Sequence, residues 1–374
     1  MKLLIFTLCL IFALTPVYAE EPDVKAAGAV LIEKESKRVL WSRNADAPMP
    51  PASTTKIMTA VIVLENNRLD KVITADKEAA AAPKVKMGLE AGEKITVEQL
   101  LCALLMQSSN DAAVALAIGT EGSVEAFCKK MNEKAAEIGC KDTFFETPNG
   151  IDKGEHHSTP YDMALIAAYA LDNPDFVRIS KIKNIDFSTD KKTYSITNKN
   201  RFLNEYNGAI GIKTGFTGKA GHCFAGAAQR NGMTLVSVVF ASGWGSAGKE
   251  RKWTDTKALM NYGFGNFGKI QLVNKGAAVR DVTVQNGKQA KVGTVLAEDY
   301  TTALKNGEKY SISLELPKYL EAPIKKGARA GTANIIINGV TEAKIPVVAA
   351  ESVDGRGFWE HLKTVFEMWA SMAA

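Results

Sequence analysis

The chain has 374 residues, 46% apolar and 23% charged, which is ordinary for globular protein and long enough for two domains with proper cores. Its net charge of +5 falls to about +4 once Lys2 leaves with the leader described below. Lysines and arginines are scattered rather than blocked, which excludes a nucleic-acid footprint and leaves only a weak preference for anionic surfaces.

Met1 to Ala19 reads as a secretory leader. Lys2 supplies the positive start, Leu3 to Leu14 the apolar run, and Val17-Tyr18-Ala19 a small-x-small cleavage site. The run is shorter than the ~20 residues a spanning helix needs. Export is therefore expected, with a mature chain starting near Glu20 and working outside the cytoplasm. An exported chain could pair its remaining cysteines, Cys102, Cys128, Cys140 and Cys223. Ser123 to Ile138 predicts a helix stopped by Gly139, which separates Cys128 from Cys140 by ~18 Å along the axis. A disulfide needs Cα atoms within about 7 Å. That pair is excluded, and buried free thiols are expected.

Ala26 to Glu33 and Arg38 to Ser42 alternate around Glu35-Ser36-Lys37 and predict a β-hairpin. Pro50-Pro51 ends an extended segment, and the residues after it read as a helix running to about Glu65. Ser53 falls in the first turn and Lys56 three positions later, on one helix face. A serine hydroxyl is a poor nucleophile, and a lysine can take its proton only when neutral. That requires the ammonium pKa to fall by roughly three units from about 10.4, or ~4 kcal/mol of environment. Burial and a second nearby cation both push in that direction. Taken alone, Ser-x-x-Lys is weak evidence, and an N-cap serine beside a surface lysine is the better reading of it.

A polar loop region follows. Val97 to Met106 then predicts a buried helix ending at Gln107-Ser108-Ser109-Asn110-Asp111, with further helices over Asp111–Ile118 and 123–138. Thr147-Pro148-Asn149-Gly150 is a turn, and Thr159 to Ala170 is helical with Pro160 near its start. Ile210–Thr214, Cys223–Arg230 and Thr234–Ala241 predict strands of one antiparallel sheet, and Glu250–Tyr262 a closing helix. Helices between an N-terminal hairpin and C-terminal strands predict an α+β layered domain over residues 20–266, its sheet assembled from both chain ends. Composition changes after Phe267. Short runs such as Val279–Val284, Tyr310–Leu314 and Ala333–Ile337 are separated by turns at Asn286-Gly287, Asn306-Gly307, Lys326-Gly327 and Asn338-Gly339. They predict a small all-β sandwich over 267–350, with no catalytic cluster of its own.

Two further motifs strengthen the serine–lysine signal. Ser108-Ser109-Asn110 offers a hydroxyl and an amide at a helix–helix junction. Lys213-Thr214-Gly215 ends a predicted strand with a cation, a hydroxyl able to bind a carboxylate, and a glycine that lets backbone approach a ligand. With these three elements in this order, the chain resembles the penicillin-binding proteins and serine β-lactamases. More closely, it is similar to the low-molecular-mass D-alanyl-D-alanine carboxypeptidases. Pro51 to Thr59, Ser109-Asn110-Asp111-Ala112, Gly211 to Gly215, Asn149-Gly150-Ile151 and His157-Ser158-Thr159 all read as that family's pattern, as does a β domain followed by an amphipathic tail.

The resemblance implies the following roles. Ser53 attacks the carbonyl of the penultimate D-alanine of a peptidoglycan stem peptide, or a β-lactam, and becomes acylated. Lys56 is the base, Ser108 relays a proton to the leaving nitrogen, and Asn110 holds Lys56 and the substrate amide. Lys213 depresses the Lys56 pKa, Thr214 contacts the terminal carboxylate, and Gly215 admits the ligand. The N–H groups of Ser53 and Phe216 form the oxyanion hole, worth ~3–4 kcal/mol per donor. Family members often carry an arginine before Lys-Thr-Gly, facing the carboxylate. Here Lys199 or Arg201 is the candidate. Relatives often have His or Tyr where this chain has Phe216, but only the N–H is needed.

His156, His157 and His222 lack a third ligand at metal spacing, so no metal and no cofactor are expected. A class A β-lactamase would have Ser-Asp-Asn as second motif and a glutamate loop after it. Ser109 replaces that aspartate, and Glu146-Thr147-Pro148-Asn149 does not reproduce the loop. A peptidoglycan endopeptidase would share all three motifs, although the β domain favours the carboxypeptidase. A β-lactam sensor would need a spanning segment and an output module. Finally, in residues 351–374, Phe358, Trp359, Leu362, Val365, Phe366, Trp369 and Met372 share a helix face about 140° wide. Glu360, Lys363, Thr364, Glu367 and Ser371 lie opposite, which predicts a helix in the membrane interface rather than across it.

Overall fold

The computed structural model describes residues 19–372, so the expected leader lies, apart from Ala19, outside the described residues. The N-terminal hairpin pairs β1 (Gly28–Glu33) with β2 (Val39–Arg43). β1 also pairs with a strand from far along the chain. With β3 (Ala209–Thr217), β4 (Gly221–Arg230) and β5 (Met233–Phe240), it forms an antiparallel sheet of order β2-β1-β5-β4-β3. Both sheet faces are covered, which is why β1 and β5 are buried at every position and read as continuous apolar runs.

Period-two alternation divides β1 between two cores. Val30 and Ile32 join the larger one, with α1 (Lys56–Asn66), α2 (Val97–Cys102), α3 (Asn110–Glu121), α4 (Val124–Ile138) and α5 (Pro160–Ala170). Ala29 and Leu31 face the opposite way, onto α7 (Gly245–Asn266), through Trp253, Leu259 and Met260. Each such aliphatic side chain, fully buried, contributes about 1.5–3 kcal/mol. α6 (Pro174–Lys181) and a polar hairpin, Asn184–Ser188 with Thr193–Thr197, were not anticipated. The α6 signal was present, since Asn173 caps the first turn and Pro174 opens it.

Two helices depart locally from expectation. Ser53 sits in a 3-10 turn, Ala52–Thr55, that leads into α1. The helix expected over Val97–Met106 turns π-helical at Ala103–Gln107 and stops at Ser108, which is left-handed with φ 69°. Cys102, Cys128 and Cys223 are buried free thiols, and Cys140 is a half-buried one.

α7 ends at Asn266, and a strand begins at once with Phe267–Val273. The C-terminal part is all β, in small sheets of four, three and two strands. The β1–β2 turn docks on it. Arg38 donates to Glu308 at 2.9 and 2.5 Å, and Lys269 pairs with Glu35 at 2.7 Å. Arg38 and Glu308 are both nearly buried, and Glu342 lies 3.6 Å from Arg38 as a second carboxylate, so the turn and the β domain are joined by a small charge network rather than an isolated pair. The chain closes with α8 (Phe358–Met372).

Candidate active site

The 3-10 turn and α1 place Lys56 under Ser53. Lys56 is fully buried, and its Nζ donates to Ser53 Oγ at 3.0 Å, Asn110 Oδ1 at 2.8 Å and the Asn149 carbonyl at 2.5 Å. All three ammonium directions are therefore used, and each points at an atom with a task or a fixed place. Burial lowers the Lys56 pKa well below its usual value, and the charge of Lys213 lowers it further, against the opposing pull of Asp111. Once deprotonated, an amine held this way has its lone pair within reach of the Ser53 hydroxyl.

Lys213 comes from β3, packed beside the Ser53 turn. Gly215 makes that approach possible. A Cβ there would lie 3.1 Å from Ala52 Cβ, the Pro51 carbonyl and the Ser53 N. Lys213 is buried, donates to the Thr214 carbonyl at 2.9 Å, and has its pKa pushed down to about 7 by burial, then by Lys199 and Lys252. Phe216 is half exposed and packs on the His222 ring at 4.4 Å. Ser108 lies between the π turn and α3, and its left-handed backbone redirects the chain from one helix into the next.

The two candidates for the carboxylate cation separate. Arg201 is held on the surface by Glu205 at 2.7 Å and Glu250 at 2.8 Å. Lys199 is anchored by its N–H to the Met106 carbonyl at 3.0 Å and reaches the Gln107 carbonyl at 3.3 Å, and it is the one whose charge acts on Lys213. Arg201 is thus a surface residue whose guanidinium is shared between two carboxylates.

Three site features escaped the sequence. Lys252, on α7, is buried with Nζ 3.5 Å from His222 Nδ1 and pairs with no carboxylate among the described residues. Burial, then Lys249, pushes its pKa down to about 8. The Asn149 carbonyl is a backbone group, and although Asn149-Gly150-Ile151 stood out in the sequence, nothing there pointed to its contact with Lys56. His156 is buried and neutral. Its Nδ1 accepts from the Glu146 N–H at 3.0 Å, so Nε2 donates to Thr55 Oγ1, also at 3.0 Å. Burial holds its pKa down at about 4. It braces the residue next to Lys56. His157 pairs instead with Asp142 at 2.9 Å. Among the described residues no cluster of ligands could hold a metal. A cavity of about 1030 Å³ between α4 and Phe144–Lys153 contains none of these groups.

Residues 15–243 match the family described as D-alanyl-D-alanine carboxypeptidase. The chain belongs to that family. Residues 267–355 match the family described as penicillin-binding protein 5, C-terminal domain. Similarity to DacF of Bacillus subtilis, a D-alanyl-D-alanine carboxypeptidase, is 34% identity over 355 residues, 92% of this chain and 90% of the relative. DacC of Escherichia coli, of the same description, is 32% identical over 371 residues, 94% of this chain and 90% of the relative. Penicillin binding protein 5 from Haemophilus influenzae superposes with a TM-score of 0.78 at 28% identity, covering 90% of this chain and 99% of that one.

For a carboxypeptidase of this family the Lys56–Lys213 pair has a pH signature. Replacing Lys213 with alanine removes a like charge, so Lys56 holds its proton to higher pH. The acidic limb of the penicillin acylation profile should move upward by about one pH unit. An unmoved limb in stopped-flow acylation would remove Lys213 from the tuning role.

Proposed function

We propose that the chain is a serine D-Ala-D-Ala carboxypeptidase that trims the terminal D-alanine from peptidoglycan stem peptides through an acyl-enzyme on Ser53. The observation that carries this is the Lys56 Nζ, buried, 3.0 Å from Ser53 Oγ, with its pKa driven down. Lys56 takes the Ser53 proton as Oγ attacks the penultimate carbonyl. The N–H groups of Ser53 and Phe216 receive the developing oxyanion. Ser108 passes a proton to the leaving D-alanine nitrogen, and water then releases the shortened peptide. Lys213, Lys199, Lys252 and the Thr214 hydroxyl form a cationic rim for the terminal carboxylate, while Gly215 keeps the strand close to the Ser53 turn. Free D-alanine released from a peptide ending in D-Ala-D-Ala, and abolished by penicillin, tests this directly. No release, or release that penicillin leaves untouched, would refute it.

We also propose that the enzyme acts at the outer face of the cytoplasmic membrane, held there by α8. Phe358, Trp359, Phe366 and Trp369 are largely exposed along that helix, more apolar surface than a solvated terminus needs. Among the described residues no helix is long and apolar enough to cross a membrane, which is compatible with a helix lying in the interface. Lys363 is 3.9 Å from Glu367, so its charge is locally offset and attachment rests on apolar burial. Ending the chain after Val353 should give a soluble protein that still releases D-alanine. The full chain should stay on vesicles at high salt and leave them in detergent. Sedimentation of the shortened protein with membranes would sink the anchor.

A further inference from the structure

Asp111 follows the motif residue Asn110 and is fully buried at the start of α3. Its carboxylate accepts four backbone N–H groups. Oδ1 takes those of Met87 and Ala112, each at 3.0 Å, and Oδ2 takes those of Gly88 at 2.7 Å and Leu89 at 3.0 Å. Three successive amides, with Gly88 at φ +90°, thus converge on one anion. Asn110 ties down the same segment from the next position. Its N–H donates to the Val85 carbonyl at 2.7 Å and its Nδ2 to the Pro83 carbonyl at 3.1 Å, while its Oδ1 faces Lys56. Residues 83–89 are therefore clamped onto the Ser108–Asn110 turn by two consecutive side chains, and the clamp ends on the amine beside Ser53.

We propose that Asp111 is a positioning residue for acylation. It holds segment 83–89 as a wall of the cleft, fixes the Asn110 amide against Lys56, and supplies the buried negative charge that opposes Lys213. The proposal rests on Lys56 as the base. Lys56 hydrogen-bonds Asn110, the neighbour of Asp111, at 2.8 Å, and its proton affinity is lowered by the charge of Lys213 and raised by that of Asp111. Around Asp111 and the segment it holds lie Glu93 and Tyr194, which share a hydrogen bond at 2.8 Å, with Glu90 and Lys192, whose Nζ reaches the Gly88 carbonyl at 2.6 Å. Of these, Tyr194 also feels the Asp111 charge, which helps hold its hydroxyl protonated.

Two substitutions separate the charge from the clamp. Asp111→Asn keeps the shape but removes the charge, and an amide nitrogen cannot accept from both Gly88 and Leu89. Lys56 should then lose its proton earlier, so the acidic limb of penicillin acylation moves to lower pH by about one unit. The amides of residues 87–89 should exchange at least ~10-fold faster. Gly88→Ala meets nothing within 4 Å but is strained at φ +90°. It should loosen the same amides and lower kcat/KM by ~10-fold or more, with the acidic limb where the wild type has it. An acidic limb unmoved or raised in Asp111→Asn would overturn the charge role. Faster exchange in Gly88→Ala with kcat/KM unchanged would overturn the wall, and that variant stays informative should Asp111→Asn fail to fold. A wild-type profile without an acidic limb is a different result, since it would remove Lys56 as the base before any variant is compared.

Discussion

Lys56→Met should leave a folded protein that penicillin acylates about 10²–10⁴-fold more slowly, the contribution of a well-placed general base. Lys56 Nζ touches Ser53 Oγ, Asn110 Oδ1 and the Asn149 carbonyl, and among the described residues no other basic side chain hydrogen-bonds Ser53 Oγ. His156, the nearest imidazole by sequence logic, is already committed to Thr55 and the Glu146 N–H. Methionine fills much the same volume. It leaves Asn110 Oδ1 without its donor, at about 1–3 kcal/mol, while the Asn149 carbonyl keeps the Ser53 hydroxyl at 3.4 Å, and it also removes an amine whose burial is itself unfavourable to charge. The fold should therefore tolerate the change where the chemistry does not. Intact-mass measurement should show one adduct in the wild type, on the Ser53 peptide, and none in Ser53→Ala. A Lys56→Met protein acylated at the wild-type rate would end the base assignment.

The serine–lysine–asparagine part of this site was legible because side chains three residues apart on a helix share a face, and because each motif sits where an element starts or stops. The strands were legible for a similar reason. β1, β4 and β5 are largely buried apolar runs, and β5 pairs with β1 of the distant N-terminal hairpin in a sheet covered on both faces. What stayed hidden has no local signature. The Asn149 carbonyl is main chain. Lys252 is one of three basic residues among Lys249, Arg251 and Lys252, and only the placement of α7 against β4 selects the one that is buried. The different surroundings of Lys199 and Arg201 were hidden too, since Glu250, which pairs with Arg201, lies about fifty residues further along the chain and is brought alongside by tertiary packing. Asp111 reads as an ordinary first-turn acid in the sequence, and only the fold brings Met87 to Leu89 onto it.

Gly150→Ala should cost the enzyme ~10²-fold or more in kcat/KM while leaving most of the fold intact. At φ +78° any side chain is strained, but the greater obstacle is space. A Cβ at this position would lie 1.9 Å from the Ala52 carbonyl oxygen and 2.5 Å from its carbon, with Thr55 Oγ1 at 2.9 Å. Those atoms are backbone of the turn that carries Ser53, together with the hydroxyl that His156 braces, so neither side can yield by a rotamer change. The turn Thr147–Ile151 must move instead. It is held by Thr59 Oγ1 on the Pro148 carbonyl at 2.5 Å and by Thr147 Oγ1 bridging Gly150 and Ile151. Displacing it draws the Asn149 carbonyl away from Lys56, and an error of about 1 Å in such a group is worth ~10²-fold. Gly232→Ala supplies the control, for it has nearly the same φ, +75°, with nothing within 4 Å of the added carbon. Backbone strain of about 1–3 kcal/mol is common to both variants, so both should melt earlier, but only Gly150→Ala should lose D-alanine release and penicillin acylation together. Equal kcat/KM in the two proteins would show that the contact with Ala52 can relax without disturbing Lys56, and that the Asn149 carbonyl does not set the position of the base.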